Sequence, residues 1–259
     1  MAKKESAKAA AMQAAAFPEV NFSDYGDVRY LHLGSPWVQG SMLVDKPYDI
    51  ELEYVQRMMG WLLFAEPAGL AKKHAMQLGL GSGALTKFCH KKIRMKTTVV
   101  ELNPQVIAAC RLWFKLPADD SRLTVIQADA ADEIRREKHL GTVDALQVDL
   151  YDEEAAGPVL DTPGFYADCR ALLAEDGVMT VNLFGRDSSY EQSLEKIAEA
   201  FGQDAVWAFK PTREGNTVVL AQRTASRPER AQLLARADDI TSRWGLPAKK
   251  WLRLFKPVW

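Results

Sequence analysis

The feature that most limits the folds open to this chain is a regular exchange of two hydrophobic periods between Ala75 and Phe201. Five strand-like runs, Ala75–Leu78, Thr97–Val100, Leu123–Gln127, Ala145–Val148 and Val178–Leu183, alternate with helical segments at Ala84–Lys92, Pro104–Phe114, Ala130–Lys138 and Pro163–Leu173, and a helix at Tyr190–Phe201 follows. Strict alternation brings right-handed crossovers, so it predicts an α/β protein with a doubly wound, mostly parallel sheet covered on both faces. Two further strands, Ala205–Phe209 and Thr217–Ala221, flank a loop with Gly215-Asn216, which is a hairpin signal rather than another crossover. A seven-stranded sheet ending in an antiparallel hairpin is therefore expected, a methyltransferase-like Rossmann arrangement rather than a dinucleotide-binding one.

The flanks divide the rest. Residues 1–20 carry lysines and then alanines, with Gln13 interrupting the apolar stretch, and are expected to form a mobile arm rather than a signal peptide. Residues 21–47 contain β-prone pieces broken by Gly34-Ser35-Pro36 and Gly40-Ser41, a small N-terminal β meander. From Tyr48 to Phe64, Tyr54, Met58, Trp61 and Leu62 recur at helical spacing and predict an amphipathic helix, so that residues 48–225 form the α/β domain. Residues 226–259 hold a charged helix, about Pro228–Trp244, and a tail with Trp244, Trp251, Leu252, Leu254, Phe255 and Trp259. That tail is expected to pack on the domain or on a second copy in a homodimer.

Lys+Arg number 33 against Asp+Glu 34, which gives no overall field to favour nucleic acid or an anionic membrane. A small-molecule partner is the expectation. No run approaches the roughly 20 apolar residues of a membrane span, and Cys89, Cys110 and Cys169 are odd in number and far apart, so a reducing, cytoplasmic setting is expected. His32, His74, His90 and His139 lack ligand spacing, and no metal is expected.

The first strand of the alternation runs into Gly79-Leu80-Gly81-Ser82-Gly83-Ala84 and then a helix. Glycines let the backbone turn sharply and approach a ligand closely. The second strand ends at Glu101, 22 positions beyond Gly79, where a carboxylate can accept hydrogen bonds from ribose hydroxyls. The same loop fits the relaxed G-x-G-x-x-A pattern of NAD sites through Gly79, Gly81 and Ala84. Asp129-Ala130 after the third strand favours a single adenosine, since the carboxylate can accept the adenine amine and Ala130 leaves room for the ring. Each acid also has a plainer reading, Glu101 as a solvated strand end and Asp129 as a helix N-cap.

After the fourth strand come Asp149, Asp152, Glu153 and Glu154, and then Gly157-Pro158. Four carboxylates at the mouth of a crevice repel one another unless a cation shares it, so a cationic substrate such as a polyamine fits.

The order of glycine loop, acidic strand end, Asp-Ala, a D-x-x-D at Asp149 and Asp152, Gly-Pro and the Phe165-Tyr166 pair resembles the spermidine synthase family. Val38-Gln39 and Tyr54 are similar to its N-terminal segment, and the likeness spans about Arg29 to Arg223. The resemblance implies an aminopropyltransferase that moves an aminopropyl group from decarboxylated S-adenosylmethionine, as co-substrate, to a diamine such as putrescine. It implies Asp149 as the catalytic proton acceptor, Asp152, Gln39, Tyr54 and Tyr151 around the amine, and Gly79, Gly81, Ser82, Gly83, Glu101, Asp129, Ala130 and Pro158 around the nucleoside. An alkylammonium with a pKa near 10.4 must lose a proton before it attacks carbon, which is the task of that acceptor. Three positions depart from the family pattern: Ser82 stands where an Asp is usual, Val55 where a His is usual, and the Asp149 loop reads DLYD. An S-adenosylmethionine-dependent methyltransferase and a non-catalytic nucleoside-binding homologue stay open as alternatives.

Overall fold

The computed structural model describes residues 17–151, 159–184 and 188–259. Strands β1 (Val20–Tyr25), β2 (Val28–Leu33) and β3 (Gly40–Leu43) form the expected antiparallel meander. It is docked on the domain by Leu31 and Met42, which share a buried cluster with Val99, Val106 and Phe114. Arg29 reinforces the contact, with its guanidinium 4.3 Å from the centre of the Phe22 ring and a hydrogen bond to the Trp113 carbonyl (3.1 Å).

The amphipathic helix expected from Tyr48 to Phe64 is instead a short α1 (Glu53–Arg57) followed by a 3-10 segment, Met58–Leu63. All six residues of that segment are buried, so it has no solvent face to be amphipathic about. Side chains of the sheet bind its backbone: the Met58 carbonyl accepts from Gln147 Nε2 (3.3 Å) and Thr180 Oγ1 (3.1 Å). Gly60 lies under Phe209, where a Cβ would come within 2.9 Å of the ring. The tighter winding lets every residue of the segment touch its surroundings.

The alternation then unfolds as expected, with β4 (His74–Leu78), α2 (Ala84–Lys87), β5 (Lys96–Glu101), α3 (Pro104–Trp113), β6 (Leu123–Gln127), α4 (Ala130–Glu133), β7 (Val143–Val148), α5 (Pro163–Leu172), β8 (Leu173–Phe184) and α6 (Ser188–Phe201). Helix α2 runs on into a π-helical stretch, Phe88–Ile93. Helix α4 is shorter than expected because the fully buried Glu133 draws in the chain that follows it. Its carboxylate binds Arg136 (2.8 Å), Lys138 (2.7 Å) and His139 (2.9 Å), which folds that chain back on itself.

The remaining elements are β9 (Val206–Phe209), β10 (Asn216–Gln222), α7 (Arg230–Trp244), α8 (Ala248–Trp251) and β11 (Phe255–Pro257). Strand order in the large sheet is β11-β9-β10-β8-β7-β4-β5-β6. Pairs among β4 to β8 are parallel, and β10 runs antiparallel to both β8 and β9, as the hairpin signal predicts. The order reverses between β4 and β7, which makes that gap the switch point of the sheet. Each face carries its own core, one around Met58, Trp61, Phe88, Val218 and Leu220, the other around Met76, Leu146, Tyr166, Met179 and Ile197. Among the described residues no helix is long and apolar enough to cross a membrane.

An eighth strand, beyond the seven expected, comes from the aromatic tail. The tail packs on its own domain: β11 pairs with β9, and Phe255 stacks on Trp207 at 5.0 Å with Phe209 at 4.8 Å and Phe64 at 5.9 Å. Short strands built from three residues are weak by hydrogen bonding alone, so the rings hold this one in place. Phe255→Ala is expected to lower the unfolding free energy by about 3 kcal/mol, read as a lower urea midpoint with an unchanged denaturant slope.

Candidate active site

At the carboxyl edge of the sheet, beside the switch point, lies a cavity of about 690 Å³. Register brings its two central residues together. Leu78 pairs with Val148, so Gly79 and Asp149 leave neighbouring strands side by side. They pack so closely that a Cβ on Gly79 would overlap the Asp149 carbonyl oxygen, and Gly79 has a φ of 88° besides. Glycine is required there on both counts.

Gly79 and Gly81 line the cavity, together with Glu101, Asp129, Ala130, Asp149, Tyr151, Gln39 and Tyr54. The structure thus gathers nine of the thirteen residues expected at the site. Two others turn elsewhere. Ser82 is buried, and its hydroxyl donates to the Ser41 carbonyl (2.7 Å), tying the loop to the meander rather than presenting a group to the cavity. Gly83 caps α2 in the left-handed conformation and faces Leu116 and Leu80. The last two, Asp152 and Pro158, lie outside the described residues.

Glu101 clamps the glycine loop: Oε2 accepts from the Leu80 amide (2.9 Å) and Oε1 from the Asn103 amide (2.8 Å). Burial pushes its carboxyl above the ordinary range, while the backbone donors pull the other way. A carboxylate offers about four acceptor positions, more than its backbone donors fill, so the clamp leaves acceptor capacity to spare. Asp129 is the N-cap of α4, its Oδ1 accepting from the Ala131 amide (2.7 Å), and it is exposed at the cavity rim. Both carboxylates therefore do local structural work and face the crevice as well. Val100, Leu102, Val106 and Ala128 complete an apolar wall between them, suited to a flat ring.

Asp149 stands beside the glycine loop. Its Oδ2 accepts from the Tyr54 hydroxyl (3.2 Å) and its Oδ1 from Asn182 Nδ2 (3.0 Å). Burial raises its pKa to about 6, against the opposing pull of Asn182 and Tyr54. The same surroundings push the Tyr54 phenol far above its ordinary value, so it stays protonated and donates. The Asn182 amide is itself oriented, since its Oδ1 accepts from Asn216 Nδ2 (3.2 Å). The Tyr151 hydroxyl donates to the Asn182 backbone carbonyl (2.8 Å), which secures the chain just past Asp149.

Sequence reasoning missed Asn182, Asn216 and Glu51, all of which line the cavity. Asn182 did leave a signal, as a lone amide in the otherwise apolar end of β8. Asn216, beside Gly215, reads in the sequence as a turn residue. Among the described residues the wall carries six carboxylates (Glu51, Glu53, Glu101, Asp129, Asp149 and Glu214) and no Lys, Arg or His. Such a pocket favours a cationic guest.

A sheet reversed at β4 and β7 and closed by an antiparallel hairpin, with a glycine loop and acidic strand ends at the switch, defines a transferase of the methyltransferase-like α/β class. The spermine/spermidine synthase domain matches residues 54–220. A polyamine aminopropyltransferase of Neisseria meningitidis serogroup A is 34% identical over 232 residues, 89% of this chain and 86% of the relative. Another, from Chromobacterium violaceum, is 35% identical over 233 residues, with 89% and 87% covered. A probable spermidine synthase from Corynebacterium glutamicum superposes with a TM-score of 0.70 at 19% identity, over 89% of this chain and 85% of that one. The chain belongs to the spermine/spermidine synthase family.

The amide that points at Asp149 has a measurable consequence. An N–H donor stabilises the ionised carboxylate, so removing it in Asn182→Ala is expected to raise the Asp149 pKa further above about 6, as followed by carboxyl-carbon NMR titration. A pKa that stays in place would show that the contact does not act on the charge.

Proposed function

We propose that the protein transfers the aminopropyl group of decarboxylated S-adenosylmethionine to a diamine of the putrescine class, with methylthioadenosine as co-product. The observation that carries this reading is Asp149, a carboxylate with a pKa of about 6 held by two neutral donors inside a cavity whose described lining carries acidic side chains and no basic one. A base for an ammonium must be ionised at working pH and within reach of the nitrogen, and this one meets the first requirement above pH 6. Family membership supports the same chemistry.

In this mechanism Glu101 accepts from the ribose hydroxyls, and Asp129 with Ala130 receives the adenine. Asp149 takes a proton from the acceptor ammonium, and the freed nitrogen lone pair attacks the propyl carbon next to the sulfonium. The carbon–sulfur bond breaks with its electrons passing to sulfur, so the thioether leaves neutral and needs no acid. Tyr54 and Asn182 hold Asp149 in one orientation throughout, and Gln39 and Tyr151 shape the space around the amine. Catalysis then consists of deprotonation and alignment. An intact S-adenosylmethionine, with an extra carboxylate, would meet only like charges on this wall, which weighs against the methyltransferase alternative. A reducing, cytoplasmic setting is part of the proposal and accords with the three buried free thiols.

Asp149→Asn is expected to lower kcat about a hundredfold or more while leaving the dissociation constant of methylthioadenosine nearly unchanged, measured by product mass spectrometry and calorimetry. Full turnover in that variant would remove Asp149 from the mechanism. In the native protein the reaction requires the ionised carboxylate, so kcat/KM should fall as pH drops through about 6. A flat profile across that range would assign the base elsewhere.

A further inference from the structure

The six carboxylates on the cavity wall are not equivalent. Glu101 holds two backbone amides, Asp149 is held by Tyr54 and Asn182, and Asp129 caps a helix at the rim. Glu53 is more than half exposed and pairs with Arg57 (2.5 Å), and Glu214 is exposed on the loop before β10. Glu51 differs from all of these. It is half-buried, and among the described residues its carboxylate forms no ion pair; its Oε2 accepts instead from the neutral Ser41 hydroxyl (2.6 Å).

Four contacts set Glu51 beside the glycine loop. A Cβ on Gly81 would lie 3.0 Å from the Gln39 carbonyl, and one on Gly40 would lie 2.7 Å from the Ser82 amide, so residues 39–41 rest directly on the loop. Ser82 Oγ then donates to the Ser41 carbonyl (2.7 Å), and Ser41 Oγ passes the connection on to Glu51. The loop itself contributes no charged side chain to the cavity. A half-buried carboxylate whose side-chain partner among the described residues is neutral has its charge unbalanced by them, and a ligand ammonium placed against it restores the balance.

We propose that Glu51 anchors the terminal ammonium of the donor's aminopropyl chain and thereby selects the decarboxylated donor over intact S-adenosylmethionine. This rests on the aminopropyl-transfer reading above. Glu51 is tied through Ser41 to the loop that would receive the donor, and a donor α-carboxylate at that position would face it with like charge. Ser41 keeps the carboxylate from swinging into solvent, so the anchor is present before the donor arrives.

The test is calorimetric titration of the native protein and Glu51→Gln with three nucleosides. The glutamine is isosteric and retains an oxygen for the Ser41 hydroxyl, so the fold should persist, and circular dichroism checks it. The affinity for decarboxylated S-adenosylmethionine should fall about tenfold or more. Methylthioadenosine, which lacks the ammonium, should bind within about twofold of its native constant, and the preference over S-adenosylmethionine should narrow. An unchanged affinity for the decarboxylated donor overturns the proposal, as does an equal loss for methylthioadenosine, or a rise confined to the KM of the diamine. If the native protein binds none of the three nucleosides, the functional reading itself fails, and this inference with it.

Discussion

Everything about the site depends on the parallel pairing of β4 with β7. That pairing sits where the sheet changes direction, and its last rung, Leu78 with Val148, delivers a glycine and an aspartate to the same point from strands about 70 residues apart in the chain. The two backbones touch so closely that a side chain on Gly79 has no space. Beneath them the pairing is reinforced by a buried amide pair, Gln77 Nε2 to Gln147 Oε1 (2.8 Å), which reaches on to the Met58 carbonyl. An unmade hydrogen bond in that dry layer would be costly, so the amides fix the register as well as the distance between the strands.

Charge at the site is governed by the same economy of partners. Asp149 is sheltered enough to gain basicity, yet two neutral donors keep it from rising far, and the result is a group that changes protonation state near pH 6. A cationic neighbour would have held it well below that. The absence of Lys, Arg and His from the described lining is thus part of how the carboxylate is tuned, and it also gives that lining a negative field. Glu133 shows the contrasting solution elsewhere in the chain: a fully buried carboxylate held by two cations, Arg136 and Lys138, and by the His139 ring, away from the cavity.

The meander and the tail show two ways in which the periphery supports the sheet. The meander lies on the glycine loop through Gly40, Ser41 and Ser82, so the small sheet helps build the glycine-loop side of the cavity. The tail extends the opposite edge and buries its rings around Trp207 and Phe209. Its charged neighbours, such as Lys256, remain at the surface, which lets one short segment close the core and still face water.

Much of this was legible in the amino-acid order. Alternating periods set the strands and helices, the hairpin signal set the closing strands, and the residues at the strand ends named the acids and glycines, because each of these depends on neighbours close in sequence. The rest depended on contacts between distant segments. Whether Ser82 faces the cavity was settled by the Ser41 carbonyl, and whether residues 58–63 stay α-helical by side chains arriving from β7 and β8. That Asn182 and Asn216 support Asp149, and that the tail supplies a strand, were decided in the same way. Local periodicity determined what each segment could become. Only the folded chain decided which polar groups meet, since a hydrogen bond across 30 to 120 residues leaves no pattern in the sequence between its ends.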